Sequence, residues 1–305
     1  MVLKQEAVDS DAKCVMIFAN PIAGRGRGES MARQIETRLT QDGYDVRLFF
    51  NKAADVPADQ LQIPCRAMVV IGGDGTIRST LQQVIQADAL HPIIPVPLGT
   101  ANMMAKYLEI HLTATDLASR VSAAVASPRV QLLDAGRANG ILFIQVAGVG
   151  FDAHLVNHLY KRRNGPITPL SYTIPSLLAL RDYKPEAIRV SCDGVQVFPE
   201  QPGFAFVGNL SQYGTGFPVL VDAKPNDGLL DLCVVPCRTR SDLIQMFLAA
   251  SVGQHLGAEG VVYLKGKQIE ITAPDAVPLQ LDGDPAGTTP VKIDLLPVKI
   301  PFIVP

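Results

Sequence analysis

The chain has no basic excess, no membrane-length apolar run, no cysteine framework and no internal repeat, and each absence removes a class of protein. Its 305 residues hold 27 Lys and Arg against 29 Asp and Glu, a net charge of -2. Binding nucleic acid over a broad face needs clustered cations that displace counterions, so nucleic acid is excluded as a partner. No stretch approaches the roughly 20 apolar residues that span a bilayer. The longest run, LIQMFLAASVG from Leu243 to Gly253, is expected to be a buried helix. The opening MVLKQEAVDSDAK has no apolar run behind a basic start and is not read as a signal peptide. A cytoplasmic protein is therefore expected, whose contact with a membrane is peripheral, transient and made from the water side. The cysteines (Cys14, Cys65, Cys192, Cys233 and Cys237) are odd in number and not spaced as a disulfide framework, so reduced thiols are expected. Cys233 and Cys237 stand close together, but no second pair or nearby His completes a four-ligand zinc site.

What remains is a globular composition, 48% hydrophobic and 18% charged, in a chain long enough for two domains. The first third alternates strand and helix. Cys14 to Asn20 is an apolar run of strand length, followed by the Gly- and Arg-rich PIAGRGRG. Ser30 opens a helix with Met31, Ile35 and Leu39 on one face, ended by Gly43. Val46 to Phe50, Ala67 to Ile71 and Pro92 to Val96 read as further strands, with Ile77, Leu81, Val84 and Ile85 marking a helix face between the last two. Strand, loop and helix repeated in this way predict a parallel, doubly wound α/β sheet. After Pro128 the pattern changes to Val- and Ile-rich, often alternating runs bounded by Gly, Pro, Asp and Asn, such as KQIEITA. That half is expected to be an antiparallel β-rich sandwich with helical insertions near Ala153 to Arg181 and Ser241 to Gly253. The domains are read as 1–127 and 128–305, with the last strand a candidate to return to the first domain.

The strongest motif is Gly72-Gly73-Asp74-Gly75-Thr76, directly after one strand and before a helix. Glycines let backbone N–H groups approach a ligand with no Cβ in the way. The helix that follows turns the positive end of its dipole to the same place, as a phosphate requires. Thr76 has a hydroxyl for a phosphate oxygen. Asp74 beside phosphate needs a cation or a proton, so Mg²⁺ and an acceptor hydroxyl are its two candidate neighbours. The bland reading is a tight glycine turn with an Asp cap, which needs fewer glycines than stand here. By the topology, Asn20 to Gly26 with Arg25, and Pro97 to Asn102 with Gly99 and Thr100, lie at the same sheet edge. Arg25 and Arg27 are candidates to pair with phosphates, and solvated surface arginines are the other reading.

These residues resemble the diacylglycerol kinase catalytic-domain family, which also contains sphingosine, ceramide and bacterial lipid kinases. The matching pieces are NPIAGRGRG, VVIGGDGTI, PLGTAN, AGVGFDA, GNLSQYGTGFPVLVDAKPNDGLLDL and LDGDP, in family order from Asn20 to Pro285. The resemblance implies a nucleotide domain, a β-rich lipid-substrate domain and an active cleft between them. It implies ATP held by Asn20, by Gly72 to Thr76 and by Thr100, with Arg25, Gly99 and Asn102 in the flanking loops. It implies Mg²⁺ held by Asp227 and the carbonyls of Lys224 and Leu229, oxygen ligands that suit a hard cation, and a second Mg²⁺ arriving with ATP. The late family motif Asp-Gly-Glu reads Asp282-Gly283-Asp284 here, so the base is Asp284 by family position, with Asp282 and Asp74 as alternatives. Asp282-Gly283 also reads as the turn of a β-hairpin. The sequence departs from the family pattern at Ile77-Arg78-Ser79, at Met103 where an acidic residue is usual, and at Phe49 or Phe50 where a threonine is common; altered nucleotide contacts are expected.

The resemblance implies an ATP-dependent kinase that phosphorylates a lipid hydroxyl presented at a membrane surface. The alternatives are an NAD kinase, which shares GGDGT, and a non-catalytic nucleotide- or lipid-binding relative. Two weaker signals stand apart. His154 and His158 lie four apart without the Glu of a zinc-protease helix, and read as ordinary histidines. Leu159 to Arg181 joins the basic Lys161, Arg162 and Arg163 to an apolar, proline-punctuated stretch, either a membrane-facing lid or a core-packing excursion.

Overall fold

The computed structural model describes residues 12–50, 52–110, 116–161, 180–213 and 217–305. Residues 162–179 of the expected lid, with Arg162 and Arg163, lie outside the described residues, as do 214–216 of the GTG motif. The chain forms two compact units, Met1–Leu133 with Pro297–Pro305, and Asp134–Leu296.

In the first unit the strands Cys14–Ala19, Asp45–Phe49, Ala67–Gly72 and Ile93–Pro97 run parallel. Every residue of Cys14–Ala19 and Ala67–Gly72 is buried, the signature of strands covered on both faces. Val15, Ile17, Val69 and Ile71 pack with Ala32, Ile35 and Leu39 of the helix Gly28–Gln41. That helix begins before Ser30, at Gly28. The helix Asp74–Gln86 buries Ile77, Leu81, Val84 and Ile85, the face expected from the sequence. The second strand lies outside the first, and the third and fourth follow on its other side. Chain direction across the sheet therefore reverses at the first strand, and the carboxyl ends of Cys14–Ala19 and Ala67–Gly72 flank a topological switch point, where open α/β sheets bind ligands. The C-terminal strand Ile300–Val304 lies between Ile93–Pro97, to which it is parallel, and Arg129–Leu133, to which it is antiparallel. The first unit thus takes in 128–133 and the end of the chain.

The second unit is antiparallel. The long strand Val195–Gly208 pairs with Ala187–Cys192 through its first half, and with Leu230–Pro236 and Val146–Val149 through its second. Register shifts between Gln196 and Gln201 mark the crossing from one layer to the other. Ile188, Val190, Ile269 and Ile293 from one layer meet Val149, Val207, Leu232 and Leu279 from the other in one core, the packing of a sandwich. The helix Arg240–Ser251 corrects one expectation. It buries Leu243, Met246 and Ala250, but Ile244, Leu248 and the adjoining Val252 are 46%, 66% and 66% exposed. The apolar run was read as core because hydrophobicity alone does not tell which face of a helix is covered. Among the described residues no helix is long and apolar enough to cross a membrane.

The place of the last strand gives a direct test. Phe302 is 1% exposed inside the first unit's sheet, so Phe302→Ala is expected to lower unfolding free energy by about 3–5 kcal/mol in urea titrations. Val304→Ala, at the half-buried end of the same strand, is expected to cost about 1 kcal/mol or less.

Candidate functional site

The phosphate-loop candidates come together in the first unit. Gly72 ends its strand and its carbonyl accepts the Leu98 N–H at 2.8 Å, which ties the third strand's loop to the fourth's. Beyond this point the two loops touch through main chain. A Cβ on Gly99 would meet both Gly73 Cα and Asn102 Oδ1, so that position has no room for a side chain, and one on Gly73 would lie a tight 3.1 Å from the Gly99 Cα. Asn102 closes its own loop. Its Oδ1 accepts the Gly99 N–H and its Nδ2 donates to the Gly99 carbonyl, both at 2.8 Å, and its φ of 49° is one that Asn adopts readily. Gly73 caps the helix Asp74–Gln86 with no side-chain cap bond. Gly75 and Thr100 are exposed and Thr76 is half-buried.

Asp74 has a defined role here. Its two carboxylate oxygens accept the N–H groups of Met103 and Met104 at 3.0 and 3.1 Å, so it caps the short helix Met103–Tyr107 and joins the two loops. Met103, where the family pattern has an acidic residue, is buried and takes part through its N–H. Asn20 follows the first strand. Its N–H donates to the Ile71 carbonyl at 3.0 Å, and its Oδ1 accepts the Ile22 N–H at 3.2 Å in an Asx turn. Arg25 is exposed with a φ of 62°, and Arg27 Nε donates to the Gly24 carbonyl at 3.0 Å. Phe49, one of the two residues read as standing where the family has a threonine, stacks on Phe18 at 4.9 Å between ring centroids.

In the second unit Asp282 and Gly283 form the two-residue turn between the strands Pro278–Leu281 and Asp284–Thr288, with φ of 50° and 86°. Positive φ at both positions is what a type I′ hairpin demands of Asp-Gly. The Asp282 carboxylate accepts three backbone N–H groups, from Ile144 at 2.9 Å, Gln145 at 2.9 Å and Val146 at 3.1 Å. Charge-assisted bonds of this kind contribute about 1.5–3 kcal/mol each. Asp284 is half-buried at the start of the next strand. Of the three candidate bases, Asp74 and Asp282 are thus committed to main-chain N–H groups. His154 and His158 lie against each other at 4.6 Å between ring centroids, and His154 packs on Tyr183.

The Mg²⁺ set implied by the resemblance takes another form. Asp227 Oδ2 lies 2.8 Å from the Lys265 ammonium, and Oδ1 accepts the Leu229 N–H at 3.1 Å. The Lys224 carbonyl accepts the Asp227 N–H at 3.4 Å. Lys265 Nζ also donates to the Asp222 carbonyl at 3.2 Å and lies 3.4 Å from Asp231 Oδ2. Three oxygens around one ammonium match its three donors. A dication on Asp227 would stand beside that fixed charge, so the groups as arranged fit the ammonium and not Mg²⁺. Burial pushes the Asp231 carboxyl up, against the pull of the Tyr263 hydroxyl and Lys265. For Lys265 burial draws the pKa down, but pairing with Asp227 and Asp231 outweighs it and the ammonium is held more firmly.

Sequence reasoning missed Lys265, Asp231 and Tyr263, and also Gln280 and Asp152, which are hydrogen-bonded to each other at 2.7 Å. Asp152 lies in the quoted AGVGFDA motif with no role assigned. Gln280 is a polar residue in an otherwise apolar strand beside the Asp-Gly turn, which was the available signal.

The ammonium arrangement is testable without nucleotide. EDTA is expected to leave the thermal midpoint of the nucleotide-free protein unchanged. Lys265→Met, which strips compensation from the fully buried Asp231, is expected to cost about 1–3 kcal/mol in denaturant titrations.

Two family models match the chain: the diacylglycerol kinase catalytic domain over residues 14–136, and the YegS C-terminal NAD kinase beta sandwich-like domain over 145–304. A diacylglycerol kinase of Mycobacterium tuberculosis is 28% identical over 300 residues, covering 95% of both chains. One of Bacillus subtilis is 25% identical over 284 residues, covering 91% of this chain and 92% of its own. A crystal structure described as a diacylglycerol kinase from Bacillus anthracis superposes with a TM-score of 0.73 at 21% identity, over 97% of this chain and 98% of that one, and shows the same fold. The two models follow one another along the chain, and the second alone spans more than half the length: the chain belongs to the diacylglycerol kinase catalytic-domain family, in the form that carries a YegS-type C-terminal domain.

Proposed function

We propose that the protein is an ATP-dependent lipid kinase that transfers the γ-phosphoryl group to the hydroxyl of a diacylglycerol- or sphingosine-like acceptor. The observation that carries this reading is the main-chain contact between Gly73 and Gly99. It brings two N–H-bearing loops and the start of the helix Asp74–Gln86 to one place at the switch point of the first sheet, an arrangement suited to a polyanion. Asn20, Arg25, Gly72 to Thr76, Gly99, Thr100 and Asn102 are the groups proposed to hold ATP. Family membership supports phosphoryl transfer to a lipid over transfer to NAD. The lipid is taken to be presented at a membrane surface and met from the water side.

Phosphoryl transfer has a loose transition state, so the protein's part is positioning and charge neutralisation. Main-chain N–H groups orient the triphosphate, whose accompanying Mg²⁺ belongs to the substrate and supplies charge neutralisation. Asp284 is the proposed base for the acceptor hydroxyl, by its place in the family's late acidic motif, and it follows directly on the anchored Asp282-Gly283 turn.

Labelled ATP offered with diacylglycerol, sphingosine, ceramide, phosphatidylglycerol or NAD tests the reading. Label on a lipid is expected; label on NAD alone, or nucleotide binding with no transfer, refutes it. Asp284→Ala is expected to lower kcat about 10²-fold or more, while Asp284→Glu, the family's usual residue, retains activity. Asp74→Ala is expected to weaken nucleotide binding in calorimetry, because the loop around Gly99 loses its tie to the helix Asp74–Gln86. Wild-type turnover by Asp284→Ala would remove it as the base.

A further inference from the structure

The AGVGFDA motif has no part in the mechanism above, yet it meets the Asp-Gly turn through one fully buried side chain. Gln280 is 0% exposed. Its Oε1 accepts the Gly283 N–H at 2.8 Å and its Nε2 donates to Asp152 Oδ2 at 2.7 Å. An amide's two ends are told apart by their partners. Here an N–H on one side and a carboxylate on the other both require the same orientation, so the side chain has one satisfied arrangement. Asp152 is 7% exposed and lies in the first turn of the helix Phe151–Lys161, where the helix dipole favours a carboxylate. The strand above leaves room for the pair because Gly148 lacks a side chain. A Cβ there would lie against Asp152 Oδ2 and 2.8 Å from Gln280 Nε2.

We propose that Gln280, oriented by Asp152, is a positioning residue that fixes the Asp282-Gly283 turn and thereby the location of Asp284. The turn is held at both of its residues: Asp282 by the N–H groups of Ile144, Gln145 and Val146, and Gly283 by Gln280. Asp284 follows directly on this doubly tied pair. A buried amide without partners is costly, so the pair also serves the core. What goes beyond that service is the choice of partner, since the bond falls on the residue next to the proposed base. A base works only within about 3 Å of its proton, and a misplacement of about 1 Å can cost about 10²-fold in rate. The inference rests on the reading of Asp284 as that base.

The experiment is a double-mutant cycle on lipid phosphorylation. Gln280→Met keeps the volume and removes both bonds; Gln280→Asn keeps the amide but is one methylene short of Gly283, and serves if the first does not fold. Each is expected to lower kcat by about 10- to 100-fold with KM for ATP unchanged. In an Asp284→Ala background the same changes are expected to cost nothing further, since there is no base left to misplace. Asp152→Asn, whose Oδ1 still accepts from Gln280, is expected to retain activity, whereas Asp152→Leu behaves as Gln280→Met. Wild-type kcat in both Gln280 variants, or an equal loss with and without Asp284, overturns the positioning role while leaving the function standing. Full turnover by Asp284→Ala overturns the role and the choice of base together.

Discussion

Carboxylates that accept backbone N–H groups tie this protein's loops together. A loop that bends sharply leaves N–H groups with no strand or helix partner, and a buried N–H without an acceptor is costly. Asp282 answers this for residues 144–146, Asp74 for Met103 and Met104, Asp134 for Gly228 at 2.8 Å, and Asp193 for Lys267 and Gln268 at 2.9 and 2.8 Å. Each joins segments far apart in sequence. At the site candidates the ties are made by Asp74 in the first unit and Asp282 in the second.

The same economy of acceptors separates the acidic residues by role. A carboxylate bonded to two or three N–H groups is anchored, and moving it to take a proton would strand those donors. Asp74 and Asp282 are held in this way, each within its own unit. At Asp227 the competition is between cations, and an ammonium from the neighbouring strand is already in contact. The close approach of Gly73 and Gly99 belongs to the same logic, because main chain that carries the N–H groups has to come near without side chains between.

Much of the fold was legible because its strands and helices follow simple periods. Ala67–Gly72 is buried at every position and reads as an unbroken apolar run; the helix Asp74–Gln86 shows its buried face at Ile77, Leu81, Val84 and Ile85. Where burial depends on a distant neighbour the reading failed. The exposed Ile244 and Leu248 look no different in sequence from the buried Leu243 and Met246. The Gly-rich loop, the Asp-Gly turn and the late Asp284 were visible as local motifs, whereas Lys265 and the Asp152 end of Gln280 gain meaning only from partners more than thirty residues away.

By itself the sequence determined the α/β and β-rich halves, the glycine loops and the family, since hydrophobic period, turn chemistry and ordered motifs are properties of neighbouring residues. Tertiary structure decided that Ile300–Val304, a candidate from the sequence, lies inside the first sheet, and it alone decided that Asp74 and Asp282 bind main chain and that Asp227 meets an ammonium. The physical reason is that a carboxylate's role follows from which donor reaches its oxygens first, and that donor is chosen by the folded chain and not by the residues beside it.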